Sequence, residues 1–174
     1  MQEFSIRLAE PNDLCAITGI YADAVRHGTA SFELDPPDQI EMARRYEMLR
    51  SGGFPYLVAE RAGAVAGYAY SGPYRARPGY RFTVEDSIYV AADAQRRGIG
   101  GALLRRLIVE AETRGFRQMI AVIGDSGHTP SIALHQSAGF RMVGTFKAVG
   151  FKFGRWLDTV LMQRALGTGA TTAP

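Results

Sequence analysis

The chain has almost nothing with which to cross-link itself or hold a metal. Its single cysteine, Cys15, excludes an internal disulfide, and His27, His128 and His135 have no ligand-like spacing. Cys15 lies in an amphipathic stretch and is expected to be a small core residue. No apolar run reaches membrane-spanning length, and no basic segment followed by an apolar one opens the sequence. A net charge of only +3, with no basic run, argues against a nucleic-acid binder. The glycine-rich turn at Gly98 to Gly101 is followed by no Gly-Lys-Ser/Thr and is not Gly-x-Gly-x-x-Gly, which excludes the P-loop and dinucleotide signatures there.

What is present suits one soluble domain. A chain of 174 residues with 47% apolar content can bury one sizeable core. The domain is expected over residues 1–166, with 167–174 as a small, polar, frayed tail. The lone cysteine fits a reducing cytoplasm.

Phe4 to Leu8 alternates as a half-buried strand does. Pro11 and Asn12 open a helix whose buried face carries Leu14, Ile17, Ile20, Tyr21, Ala24 and Val25, and Gly28 ends it. Pro36-Pro37-Asp38 starts a second helix to about Leu49, with Ile40, Met42, Ala43, Tyr46 and Leu49 as core candidates. Tyr56 to Arg61 and Ala64 to Tyr70 form a hairpin. Gly72 to Tyr80 holds too many turn formers for a regular strand. Arg117 to Gly124 contains a short buried strand. Thr129 is expected to cap a short helix with Pro130 in its first turn. Phe140 to Val149 and Phe151 to Gln163 pair as the last two strands.

The stretch from Thr83 to Ala111 organises the rest. Val84 to Val90 reads as a strand, Gln95 to Gly101 as a turn, and Ile99, Leu103, Leu104, Leu107, Ile108 and Ala111 recur at helical spacing. A helix start carries backbone N–H groups without internal partners and the positive end of the macrodipole. Glycines let an anion approach those donors, and Arg96 and Arg97 add charge. A glycine-rich helix start that binds nothing is the plain alternative. The strand–helix–strand unit makes the strands at 84–90 and 118–124 parallel neighbours.

Gln95-x-x-Gly98-x-Gly100 after a strand resembles the pyrophosphate loop of the GCN5-related N-acetyltransferases. Further blocks resemble the phosphinothricin and methionine-sulfoximine acetyltransferase subgroup. They are Gly72 to Arg77, Tyr80 to Val90, Ala121 to Gly124, Ser131 to Phe140, and Gly150-Phe151-Lys152-x-Gly154-x-Trp156-x-Asp158, and the likeness spans about Ile6 to Leu166. It implies an α/β fold with a mixed, mostly antiparallel sheet and a parallel step where two strands splay. Acetyl-coenzyme A is the implied donor and a primary amine the acceptor.

On that resemblance the cofactor contacts are Ile88 and Val90, Gln95, Arg96, Arg97, Gly98, Ile99, Gly100, Gly101 and Ala102, with His128 and Ser131. Relatives carry asparagine where this chain has His128. Glu85 is the implied base, since an ammonium must lose a proton before it attacks; a surface-facing strand residue or an ion-pair partner of a nearby arginine is its ordinary reading. Asp86 should point to the other face. His135 stands where many relatives have a tyrosine that protonates the leaving sulfur; it is the second catalytic candidate or else an acceptor contact, and a polar helix residue with a local hydrogen bond is its ordinary reading. Phe32, Arg75, Arg77, Tyr80 and Val122 are the implied acceptor contacts, with the arginines as an anion clamp. A solvated basic loop and an aromatic plug are the ordinary readings of those arginines and of Phe32.

The expected activity is N-acetylation of phosphinothricin, methionine sulfoximine, methionine sulfone or a similar molecule, by direct attack. Another small-amine or protein N-terminal acetyltransferase is the alternative, as is a non-catalytic acyl-coenzyme A sensor. The resemblance also implies a homodimer with the last strands near its interface.

Overall fold

The computed structural model describes residues 3–173. The elements run β1 (Ser5–Leu8), α1 (Leu14–His27), α2 (Gln39–Ser51), β2 (Tyr56–Arg61), β3 (Ala64–Pro73) and β4 (Thr83–Val90). They continue with α3 (Ile99–Thr113), β5 (Gln118–Gly124), α4 (Thr129–Ser137), β6 (Arg141–Lys152) and β7 (Arg155–Ala165). One seven-stranded sheet has the order β1-β2-β3-β4-β5-β7-β6, antiparallel throughout except for the parallel β4/β5 step. The expected mixed sheet is present.

Each face of the sheet carries its own core, because strand side chains alternate. On one face Leu57, Ala69, Val84, Met119 and Ala121 meet Leu103, Leu104 and Leu107 of α3. On the other, Val58 and Tyr68 meet Ile17, Tyr21 and Val25 of α1 and Met42, Tyr46 and Leu49 of α2. The helix periodicity places these residues in register, and Asp38 caps α2 by accepting from the Glu41 N–H at 2.8 Å.

Five local expectations need correction. Cys15 is exposed, since Leu14, Ile17, Tyr21 and Val25 form the buried stripe of α1 and Cys15 falls beside it. Ile40 is 81% exposed, because it precedes the stripe that Met42, Tyr46 and Leu49 bury. β3 continues through Gly72 and Pro73, whose partners on β4 are Glu85 and Val84. His128 rather than Thr129 occupies the N-cap of α4, and it makes no side-chain cap. The last hairpin turns at Phe153-Gly154, both at positive φ, rather than at Gly150. Gly150 instead lies inside β6, just past an irregularity in its pairing.

The final residues make turns against the body of the chain: the Arg117 guanidinium donates to the Gly169 carbonyl at 3.4 Å and to the Thr172 hydroxyl at 3.2 Å.

Candidate active site

The site is built around a fork in the sheet. β4 and β5 are paired only from Thr83–Gln118 to Asp86–Ala121, although β4 runs on to Val90 and β5 to Gly124. The Ala91 N–H donates to the Ala66 carbonyl of β3 at 2.9 Å. Main-chain groups alternate along a strand, so those of Ile88 and Val90 face away from β3, into the gap. Such an edge can pair with an extended amide-bearing molecule, and its N–H groups can polarise a carbonyl.

At the mouth of the gap the chain turns into α3. Arg96 (φ 58°) and Gly98 (φ 80°) are both left-handed, and Gly98 is the N-cap of α3 without a side-chain cap. The Ala102 N–H already donates to the Gly98 carbonyl at 3.0 Å. The donors free for an anion are therefore those of the first turn, Ile99, Gly100 and Gly101. Ile99 gives only its backbone, since its side chain is buried in the core. Gln95, Arg96 and Arg97 are exposed around this turn. His128 and Ser131 stand at the start of α4, and the buried Nδ1 of His128 has no hydrogen-bond partner among the described residues.

Glu85 points to the opposite face. It lines a cleft of about 240 Å³ with Tyr21, Arg45, Tyr56, Tyr70 and Ser87. Burial, and after it the charge of Asp86, pushes the Glu85 carboxyl up to about 7. A carboxylate that titrates there can take a proton at neutral pH.

His135 is not in that cleft. It is 4% exposed beneath β4 on the α3/α4 face, where Nε2 lies 2.9 Å from Asp86 Oδ2 and Nδ1 lies 2.8 Å from the Ser131 carbonyl. Burial opposes its charge, but the Asp86 carboxylate outweighs that and raises its pKa. Because Glu85 and Asp86 are consecutive in one strand, the sheet itself separates His135 from Glu85.

The candidate acceptor residues divide. Arg75, Arg77 and Tyr80 line a neighbouring cleft with Phe54 and Arg81, which shares Pro73 with the Glu85 cleft. Phe32 sits against Gly124 and Gly150, while Val122 is partly exposed on its strand. Met119, Ala121 and Ile123 belong to the α3 core, so alternation turns Val122 to Glu85's face. The arginine in the Glu85 cleft is Arg45, whose Nη1 lies 2.6 Å from Glu33 and whose Nε lies 2.8 Å from Glu41.

The sequence reading missed Arg45 and the tyrosine lining. The signals were a charged residue beside the buried stripe of α2 and tyrosines at alternate positions 68 and 70 of β3. Tyr56 stacks on Tyr70 with centroids 5.0 Å apart, a cross-strand pair that builds the aromatic floor.

Comparison with known proteins agrees with this fold. Residues 6–161 match the acetyltransferase (GNAT) domain family. A phosphinothricin N-acetyltransferase from Alcaligenes faecalis is 55% identical over 98% of this chain and 86% of its own length. An L-methionine sulfoximine/L-methionine sulfone acetyltransferase from Salmonella typhimurium is 43% identical, over 93% of this chain and 94% of its own. The crystal structure of a phosphinothricin acetyltransferase from Sinorhizobium meliloti in complex with acetyl-coenzyme A superposes with a TM-score of 0.96 at 50% identity. It covers 99% of this chain and 93% of that one.

Proposed function

The chain belongs to the GNAT acetyltransferase family, and from that premise we propose that it acetylates the primary amine of a small amino-acid-like molecule of the phosphinothricin, methionine sulfoximine or methionine sulfone class. Acetyl-coenzyme A supplies the acetyl group as an activated thioester. The residues fit that donor: the open edge at Ile88 and Val90 suits its pantetheine amides, and the first turn of α3 suits its pyrophosphate. His128 Nδ1, buried and without a partner among the described residues, is a further contact at the start of α4. The Ile88 or Val90 N–H polarises the carbonyl that is attacked. Glu85 takes the proton from the acceptor ammonium, and His135, held by Asp86, serves the cofactor side of the fork.

The observation that carries the reading is Glu85, titrating at about 7 in a cleft of limited size beside the fork. Its test is coenzyme A release with free amino acids, their sulfone, sulfoximine and phosphinate analogues, and the matching carboxamides. Carboxylates should be used at least about tenfold more efficiently than carboxamides, since a lost charged hydrogen bond costs roughly 1.5–3 kcal/mol. Arg77→Ala, and to a lesser degree Arg75→Ala, should erase that preference by raising the Michaelis constant of the acid alone. Erasure by Arg45→Ala instead would move the clamp into the Glu85 cleft. Equal use of acid and amide by the parent sinks the small-amino-acid reading in favour of a peptide or simple-amine acceptor, and binding of acetyl-coenzyme A without any release favours a sensor.

The same proposal includes a homodimer in a reducing cytoplasm. β6 is the sheet edge, and the β6/β7 hairpin exposes Val143, Phe146, Val149, Phe151 and Trp156, the last at 64%. An uncovered apolar edge of this size invites pairing. Phe146→Glu/Trp156→Glu should sediment as a monomer where the parent sediments as a dimer. A parent that is already monomeric at micromolar concentration removes this part of the proposal.

A further inference from the structure

The Gly150-Phe151-Lys152 block has no role in the chemistry above, yet its surroundings are specific. Lys152, the last residue of β6, is 3% exposed, a rare state for an ammonium. Its Nζ donates to the Ser31 carbonyl at 2.8 Å and to the Gly28 carbonyl at 3.0 Å, both in the loop between α1 and α2. Charge-assisted bonds of this kind are stronger than neutral ones, and these two close a turn of the loop around one nitrogen.

Two glycines hold the same loop from beneath. A Cβ on Gly150 would overlap the Phe32 ring, and a Cβ on Gly124 would overlap the Thr29 carbonyl oxygen. The register that brings Gly150 and Lys152 to these places is set by Asp158. Its carboxylate accepts from the Ala148 N–H at 3.0 Å and from Lys147 Nζ at 2.9 Å, where β6 bulges.

From the loop, hydrogen bonds lead into the Glu85 cleft. The Ser31 hydroxyl lies 2.9 Å from the Tyr21 hydroxyl and accepts from the Glu33 N–H at 3.2 Å. Glu33 in turn holds Arg45 at 2.6 Å. Tyr21 and Arg45 are walls of that cleft.

We propose that Lys152 is a positioning residue for the acceptor: by latching the carbonyls of Gly28 and Ser31 it fixes the loop that carries Phe32 and orients Tyr21 and Arg45 in the Glu85 cleft. This rests on the reading that the Glu85 cleft takes the acceptor. No atom of Lys152 need touch the substrate. The β6/β7 hairpin and the acceptor cleft are thereby mechanically joined.

The test is Lys152→Met, which keeps the length of the side chain and removes its donors, beside Gly150→Ala, which keeps Lys152 and displaces Phe32. Both are measured by steady-state kinetics and by amide hydrogen exchange of residues 28–34. Each variant should raise the acceptor's Michaelis constant about tenfold, with kcat within about threefold and the acetyl-coenzyme A constant unchanged. Exchange in 28–34 should speed up in Lys152→Met, with no such change in β4 or α3. A merely structural lysine would instead lower the active fraction and leave the Michaelis constants alone. Faster exchange with an unchanged acceptor constant overturns the proposal while leaving the acetyltransferase reading intact, and so does unchanged exchange. If Lys152→Met does not fold, Lys152→Gln, which removes the charge and shortens the reach to the two carbonyls, decides by the same kinetic and exchange criteria. A parent that acetylates no amino-acid analogue at all overturns the acceptor reading itself, and the positioning role falls with it.

Discussion

Replacing Glu85 with glutamine should lower turnover by about a hundredfold or more while acetyl-coenzyme A affinity stays within about twofold. The amide preserves the shape of the side chain and cannot take the proton. The cofactor surface lies along the gap and the first turn of α3, on the far side of the strand from this side chain. The parent's kcat/KM should rise with pH through about 7, because the carboxylate is the competent form and burial holds its pKa there. The variant should lose that limb.

A stability change should accompany the loss, with the opposite sign. The folded-state pKa of Glu85 lies above its unfolded value, so the folded protein binds that proton more tightly. Ionising the group therefore destabilises the fold progressively as pH rises from about 4.5 to about 7, and the full penalty persists above that. Glutamine has no charge to bury. Thermal unfolding at pH 8 should show the variant at least as stable as the parent, and the difference should shrink towards pH 4. Turnover within about threefold of the parent would remove Glu85 from the proton transfer.

The second large effect belongs to the loop before α3. Gly98→Val should weaken acetyl-coenzyme A binding at least tenfold, which corresponds to about 1.4 kcal/mol. Gly98 is left-handed at φ 80°, where a β-branched residue is strained by roughly 1–3 kcal/mol. Relieving that strain turns the first amides of α3 away from the anion. Gly100 behaves differently. Its backbone is not left-handed, and an added Cβ would meet Val90 and Leu134 at 3.7 Å, an ordinary contact. Gly100→Ala should accordingly bind nearly as well as the parent. Titration calorimetry of the two variants separates a requirement for backbone conformation from a requirement for space. Equal affinity in a folded Gly98→Val protein removes this turn from the phosphate site.

The strand–turn–helix unit was legible because its signals are local. Helical spacing from Ile99 to Ala111 and the glycines before it depend only on neighbours along the chain. The parallel step followed from strand–helix–strand order, and the placing of Glu85 and Asp86 on opposite faces followed from alternation. Where spacing left a choice, errors arose: Cys15 and Ile40 sit at the edge of a stripe, and only packing decides how wide a buried stripe is.

The site needed the tertiary structure because its parts are far apart in sequence. Nothing local says that β4 and β5 part after Asp86–Ala121, since pairing length depends on two strands at once. Arg45 belongs to the Glu85 cleft only because α2 packs on α1 and β2, beside the β3 and β4 residues that line it. His135 lies against Asp86 across 49 residues, and Lys152 reaches Ser31 across 121. The sequence by itself determined which residue types could bind an anion, take a proton or fill a core, because those properties reside in single side chains and their neighbours. Which of them share a cavity, and on which face of the sheet, was decided by the folding of distant segments onto one another, where burial then set the proton affinity of Glu85.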